Sequence, residues 1–507
     1  MCVVIGGWCP PFPYRSGYVL SRNVTARVAL NAPDDGDGSL QFQPGDILAE
    51  AGQRLTAEQV DLLRLEHEAT LAERPLEYLV FRSAALVALV LALYAVCALY
   101  LRWRQRSVKI SLKRLATMLL LSVVTVAMAR WAAVDPWRAE IVPLLVFAQI
   151  LAIYYRQETA LLFAGMLTLL VVFALGQGMG ALVLLMGTSA IAVLQLNRIR
   201  NRSKLIYVGF FTALGAMLLS VAVAVLDDQP VSLHIIQEAV RLGIYTLATG
   251  FLLTGVLPFI ERLFGVLTDM SLLELGDVSH PLLQELVRRA PSTYNHSVTV
   301  GAIAEAAADA IGARGLLVRV GAYFHDIGKM LKPEYFIENQ PLDENRHASL
   351  IPAMSTLVII AHIKDGADLA RKHKLPEPII DFIEQHHGTT LVEYFYGRAN
   401  EMRLSDPNGG DVDESSFRYP GPKPQNKETA VLMLADAAES ACRSLVDPAP
   451  SRIESLVREV AERKLADGQF DDTNLTLREL RTIQNSMIKS LIANYHGRLK
   501  YPGQRTA

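Results

Sequence analysis

Apolar positions fall into two regimes along this 507-residue chain. From about residue 78 to about 262 they run almost unbroken, while on both flanks they recur at the spacing of soluble helices. The central run predicts seven membrane-spanning helices, near residues 79–101, 112–134, 140–155, 158–176, 178–197, 205–226 and 236–260. Each can cross about 30 Å of hydrocarbon, which takes roughly 20 helical residues. The third and fourth are short and separated only by Tyr155, Arg156, Gln157 and Glu158. The fourth and fifth are joined by GQGMG, and a re-entrant pair is the competing reading there.

The flanks carry different patterns. Residues 1–77 are polar, with turn signals such as NAPDDGDGS. LTAEQVDLLRLEHEATLAE, from Leu55, has leucines at helical spacing, and Thr56 with Glu58 and Gln59 offers a capped start. This is a small domain or tail. After the last span, the leucines from Glu261 to Ser292 predict one or two amphipathic helices, a linker over 263–290. A helical catalytic domain then occupies 291–507. The fold class expected is all-α, a seven-helix transmembrane bundle followed by an all-helical domain.

Composition and charge refine this picture. The mean hydropathy of +0.25 averages an apolar centre with ordinary soluble ends. The net charge of −2 supplies no field for a nucleic acid polymer, so the lipid bilayer is the expected macroscopic partner. RWRQRSVKISLKR, from Arg102, holds six basic residues and no acidic one, and NRIRNRSK, from Asn197, holds four. The loops of opposite parity, WAAVDPWRAE and LDDQPVS, carry no positive excess. Basic loops stay in the cytoplasm. Seven crossings then put residues 1–77 outside and everything after about 262 inside, in the plasma or inner membrane. An external start normally needs a signal peptide or an earlier span, and MCVVIGGWCPPFPYRSG supplies neither. Either the first span translocates the tail or the true start lies upstream. The four cysteines, Cys2, Cys9, Cys97 and Cys442, fit neither a zinc ribbon nor a disulfide framework. Cys2 and Cys9 alone are placed to pair outside the cell, though so short a tail gives that little support.

Candidate chemistry lies in the last third. His296, His325–Asp326, His362, His386–His387 and Asp436 make seven candidate metal ligands in order, within about 140 residues. Alone, His296 or His362 reads as a structural histidine, His386–His387 as a solvated helix end and Asp436 as a cap. Together, with HDIGK intact, they read as a metal site. In-line cleavage of a phosphate ester needs charge on both attacking and leaving oxygens, and two cations about 3.5–4 Å apart supply it. Imidazole with carboxylate suits iron, manganese or zinc better than magnesium. Asp326, beside His325, is the natural bridge. Gly328 and Gly388 read as helix stops after each pair. Asp436 interrupts the apolar helix TAVLMLADAAESA, where a buried carboxylate is costly unless it meets a cation. Lys329 can reach a phosphate oxygen as a mobile point charge. His67, His234, His280, His347, His373 and His496 lack such settings and read as structural or surface residues.

HDIGK, EQHHGTTLVEYFY from Glu384 and FRYPGPKPQNKE from Phe417 resemble the membrane-bound HD family with seven transmembrane helices, the PgpH type. HPLLQELVRRAPSTYNHS is similar to it as well, and the likeness runs from about residue 78 to the C-terminus. The resemblance implies an HD phosphohydrolase domain that hydrolyses the bacterial second messenger cyclic di-AMP to linear pApA through a hydroxide activated by two divalent metals, usually iron or manganese. It implies that His296, His325, Asp326 and Asp436 hold one metal, and Asp326, His362, His386 and His387 the other. Family members carry an initial span and a larger extracellular domain. PPFPYRSGYVLSRNVTARVAL keeps what resembles that domain's opening and then shortens.

RYPGPKPQNK, from Arg418, reads as a stiff turn-rich loop or as a wall of a substrate pocket. In the second reading Tyr419 stacks on a base and Lys423 pairs with phosphate. A cyclic di-GMP phosphodiesterase of the HD-GYP type is disfavoured because the chain has no GYP tripeptide. A dNTP phosphohydrolase is disfavoured by the membrane half and the PGPKP loop. A nucleotide-binding receptor without turnover predicts lost ligands, and none is lost. A homodimer is compatible with the sequence.

Overall fold

The computed structural model describes residues 8, 10, 12–20, 22–33, 39–104, 112–134, 137–155, 157–196, 201–264, 267–340, 345–405 and 411–496. Cys2, Cys9 and most of the two basic loops, 105–111 and 197–200, lie outside the described residues. The chain divides between Thr268 and Asp269 into two compact units. Among the described residues there are eighteen α-helices and four short strands, so the all-α expectation holds, with a small β element at the front.

That element was missed by pattern reading. β1 (Val24–Thr25) pairs antiparallel with β4 (Ile47–Ala49), and β2 (Leu30–Pro33) with β3 (Ser39–Phe42). Strands of two to four residues are too short to establish a period of two. Leu20, Leu30, Leu48, Leu55 and Leu63 bury into a separate small core with them. α1 (Ala57–Ala72) completes it, and its start is a capping box in which Thr56 and Gln59 satisfy each other's backbone N–H.

Seven apolar helices follow: α2 (Leu76–Arg104), α3 (Leu112–Ala132), α4 (Ile141–Tyr154), α5 (Gln157–Leu175), α6 (Met179–Gln195), α7 (Arg202–Leu226) and α8 (Leu233–Phe264). Four of them, α2, α5, α7 and α8, are long and apolar enough to cross a membrane. The apolar part of α3 (Ala116–Ala132), α4 and α6 are shorter, and α4, at 14 residues, is well enclosed, with ten of its side chains buried. At about 1.5 Å per residue, α4 spans roughly 21 Å and relies on its neighbours for cover. Packing of α7 against α8 is close because Gly209 and Gly250 face each other; a Cβ on Gly250 would lie 3.0 Å from Gly209 Cα.

The β element is tied to this bundle by polar contacts. Gln229 accepts from Val19 N at 3.1 Å and donates to Val19 O at 2.6 Å, and Arg15 pairs with Glu238.

The second unit is helical throughout: α9 (Asp269–Leu275), α10 (Pro281–Arg289), α11 (Pro291–Ala310), α12 (Gly315–Phe324), α13 (Pro352–Lys372), α14 (Glu377–Gln385), α15 (Glu393–Ser405), α16 (Lys427–Arg443), α17 (Pro450–Ala466) and α18 (Leu477–His496). The segment read as a linker over 263–290 thus contributes α9 and α10 to this unit. Leu272, Leu282, Leu283 and Leu286 are fully buried, which uses the leucine spacing seen in the sequence.

Candidate metal centre

Each candidate ligand sits where the backbone presents it to one point. His296 lies in α11, His362 in α13 and Asp436 in α16. His325 caps the end of α12, and Asp326 precedes a short 3-10 helix, Ile327–Leu331. His386 and His387 follow the last residue of α14. Two glycines let these elements close. A Cβ on Gly321 would collide with the Phe382 ring, so α12 and α14 pack in contact. A Cβ on Gly328 would collide with the His362 carbonyl oxygen and lie 2.7 Å from Gly366 N. Gly328 is therefore not a helix stop, since α12 has already ended at Phe324; it is a point of backbone contact with α13. Gly388 does take a left-handed conformation, with φ of +53°.

All seven side chains come together. Asp326 stands between two sets of imidazoles and offers one oxygen to each. Its Oδ1 is 3.4 Å from His362 Nε2 and 3.6 Å from His386 Nε2. Its Oδ2 is 3.1 Å from His325 Nε2 and 3.9 Å from His296 Nε2. Asp436 Oδ1 lies 3.0 Å from His296 Nε2, and its Oδ2 lies 3.9 Å from His387 Nδ1. Donor atoms of His296, His325 and Asp326, and separately of His362, His386 and His387, fall within 4.8 Å of one another.

The donor set fits divalent cations. His325 Nε2 and Asp326 Oδ1 are buried without a hydrogen-bond partner, a costly arrangement that a cation relieves. The far ring nitrogens of four of the five histidines are engaged. Nδ1 of His325, His362 and His386 donates to the carbonyls of Ala322 (2.6 Å), Ile359 (2.5 Å) and Ile383 (2.9 Å). His296 Nδ1 donates to Glu439 Oε2 at 2.6 Å. In the neutral ring each bond keeps the proton on Nδ1 and leaves Nε2 the lone pair a metal takes; any proton that neighbouring carboxylates hold on Nε2 is one a cation would displace.

Charge in the site is divided by the same contacts. Burial alone disfavours charged His325, but the adjacent Asp326 and Asp436 carboxylates outweigh it and hold its pKa up, at about 10. Burial pushes His362 down to about 3 and His387 well below the usual histidine range, so both stay neutral. Asp326 and Asp436 stay ionised against burial because His325 faces both, with Lys329 beside the first and His296 beside the second.

Lys329 is not mobile. Its Nζ is held 2.7 Å from Asp326 Oδ2 and 3.0 Å from Glu338 Oε1, and these carboxylates raise its pKa against burial. Replacing Lys329 with methionine removes the ammonium that Asp326 and Glu338 share, a loss of up to about 3–5 kcal/mol for breaking a buried ion pair. Metal-stripped Lys329→Met should unfold at a clearly lower temperature than the stripped parent and recover part of the loss on adding Mn²⁺. An unchanged unfolding temperature would show that the clamp contributes nothing.

Of the proposed substrate contacts, Tyr419 stands beside the ligands, its ring stacked on His387 at 4.3 Å between centroids. Burial raises its phenol pKa, so the hydroxyl keeps its proton. Lys423 pairs with Asp471 at 3.4 Å. Sequence reasoning missed three supporting groups. Glu439 and Arg443 follow Asp436 at i+3 and i+7 on one face of α16, a spacing that can signal a shared face. Gln469, fully buried, accepts from Thr389 N at 3.0 Å and donates to Thr389 Oγ1 at 2.9 Å, which clasps the turn carrying His386 and His387. No local signal marks Gln469, since its partner is 80 residues away.

Two stretches of the chain match known protein families. Residues 80–268 match the family described as 7TM receptor with intracellular HD hydrolase, and residues 293–441 match the HD domain. A Bacillus subtilis (strain 168) protein named cyclic-di-AMP phosphodiesterase PgpH is 43% identical over 311 residues, covering 61% of this chain and 43% of its own length. A protein of the same name from Listeria monocytogenes is 39% identical over 330 residues, covering 64% of this chain and 45% of its own. The chain thus spans less than half the length of either curated relative. A crystal structure of the L. monocytogenes PgpH HD domain in complex with cyclic-di-AMP is 43% identical, with all of that domain aligned to 43% of this chain at a TM-score of 0.41.

Proposed function

We propose that this chain, which belongs to the family of seven-transmembrane receptors with an intracellular HD hydrolase, is a membrane-bound, metal-dependent phosphodiesterase that opens cyclic di-AMP to linear pApA. The observation that carries the reading is the position of Asp326, with one carboxylate oxygen toward each set of histidines. The substrate comes from the names of the two curated relatives, both cyclic-di-AMP phosphodiesterases.

Two bound divalent cations, iron, manganese or zinc by the donor types and iron or manganese by the family resemblance, would supply charge for the phosphate oxygens and acidity for the attacking water. His296, His325, Asp326 and Asp436 would hold one, and Asp326, His362, His386 and His387 the other. The residues do the rest. Lys329 keeps Asp326 ionised and adds positive charge to the pocket in which a phosphate arrives. Tyr419, fixed against His387, forms an apolar wall for a base. Lys423 pairs with the outlying phosphate in this reading, exchanging its exposed contact with Asp471. The basic loops support a cytoplasmic position for the hydrolase, where a second messenger is found, and an outer position for residues 1–77.

The purified full chain, loaded with Mn²⁺, should convert cyclic di-AMP to pApA faster than cyclic di-GMP to pGpG. Equal rates, or no turnover by protein with metal bound, would remove the substrate assignment.

A further inference from the structure

The two halves of the metal centre are built differently. The half with His296 and His325 has two carboxylates within reach, Asp326 through Oδ2 and Asp436 through Oδ1. The half with His362, His386 and His387 has Asp326 Oδ1 at 3.4–3.6 Å from the first two rings and Asp436 Oδ2 further off, at 3.9 Å from His387 Nδ1, while Asp436 Oδ1 stands at 3.0 Å from His296. The backing of the imidazoles differs in the same sense. His325, His362 and His386 donate Nδ1–H to main-chain carbonyls, which are neutral acceptors. His296 instead donates to a carboxylate, Glu439 Oε2 at 2.6 Å, and Arg443 Nη2 lies 2.9 Å from the same ring nitrogen.

Glu439 is held in place for this. It is 5% exposed, and Arg443, one turn further along α16, donates to both its oxygens at 2.6 and 2.8 Å. A single helix therefore carries a ligand, Asp436, the carboxylate that orients a second ligand, and the guanidinium that fixes that carboxylate. An ionised acceptor on Nδ1–H makes the opposite nitrogen a stronger electron-pair donor and holds the ring in register. Electrostatics act in the same direction, since each extra carboxylate in a buried site favours a divalent cation.

We infer that the two cation positions are unequal, that the one at His296, His325 and Asp436 binds first and more tightly, and that Glu439, fixed by Arg443, is the positioning residue that makes it so. This rests on the two-cation reading above but not on the substrate. Glu439 touches neither substrate nor cation; it acts through the orientation and donor strength of His296.

The test is metal binding by the chelator-stripped full chain, titrated with Mn²⁺ and followed by the loss of free Mn²⁺ signal in electron paramagnetic resonance. The parent should bind two cations in two resolved steps. Glu439→Gln keeps an acceptor for His296 and the shape of the site but removes the charge, and should weaken the first step by about tenfold. Glu439→Ala should weaken it by about 10–100-fold. Arg443→Met should give a smaller loss in the same step, and His387→Ala should weaken the second step instead. If Glu439→Ala does not fold, the isosteric glutamine variant carries the test alone. Unchanged binding in Glu439→Gln, or equal weakening of both steps, overturns the inference while leaving the two-cation reading intact. A parent that binds one cation or none overturns that reading and this inference together, whatever its activity toward cyclic dinucleotides.

Discussion

Asp326→Ala is expected to lower turnover by at least about 10³-fold, which corresponds to some 4 kcal/mol of lost transition-state stabilisation. The reason is geometric. Oδ1 of Asp326 serves His362 and His386, while Oδ2 serves His325 and His296. Asp436 also reaches both sets but serves the second less closely, with Oδ1 3.0 Å from His296 Nε2 and Oδ2 3.9 Å from His387 Nδ1. Without Asp326, Asp436 is the one carboxylate left among the candidate ligands, and Lys329 loses its nearest counter-charge at 2.7 Å. Bound metal should fall along with activity, from two cations to one or fewer in the same titration. Asp326→Asn preserves the volume and separates charge from shape; it should be nearly as inactive as the alanine variant. Turnover within tenfold of the parent, with metal content unchanged, would end the bridging role.

The second large effect comes from a residue with no side chain. Gly328→Ala places a methyl group against the carbonyl of His362 and 2.7 Å from the amide of Gly366. Both neighbours are backbone in the middle of α13 and cannot rotate away. Relief requires α13 to shift, and α13 carries His362. Overpacking of this kind costs about 1–3 kcal/mol and more against rigid backbone. A displacement of about 1 Å at a catalytic centre costs roughly 10²-fold in rate. The variant should therefore show a lowered unfolding temperature, a loss of at least about 10²-fold in turnover, and weaker binding of the cation held by His362. Gly366→Ala is the comparison within the same contact. Its new methyl would meet Ile383 Cγ2 at 3.0 Å, the end of a flexible side chain, and Gly328 N at 3.2 Å, so its losses should be smaller. A Gly328→Ala protein as stable and active as the parent would show that the two segments do not press together here.

These effects differ in how visible they were beforehand. The candidate ligand series could be read from the chain because metal chemistry restricts residue types severely. Histidines and aspartates at His296, His325, Asp326, His362, His386, His387 and Asp436, several within apolar runs, have few bland explanations in combination. Gly328 was visible as a glycine, but its reason was misread. A local pattern suggests a helix stop, whereas the cause is a backbone passing close by, 34 residues later in the chain. Lys329 was visible as a charge next to the motif, yet its mobility was wrong. Glu338, which clamps it, belongs to a short 3-10 turn with no periodic signature. Glu439, Arg443 and Gln469 were passed over because a polar side chain on a helix or turn is ordinarily a solvated one.

The apolar periodicity by itself determined where the helices lie, since burial against lipid or core imposes the same pattern at every turn. It sufficed for the seven apolar helices, the capped start of α1 and the all-helical second unit. The short paired strands before α1 escaped it, because their order comes from mutual pairing and a small shared core. Composition and spacing by themselves determined which residues could hold metal. Only the tertiary structure decided which carboxylate oxygen meets which histidine, which ring nitrogen stays free, and why one set of ligands is backed by Glu439 and the other by main-chain carbonyls. Those are relations between segments as much as 143 residues apart, and they depend on how helices pack, which no local window of sequence contains.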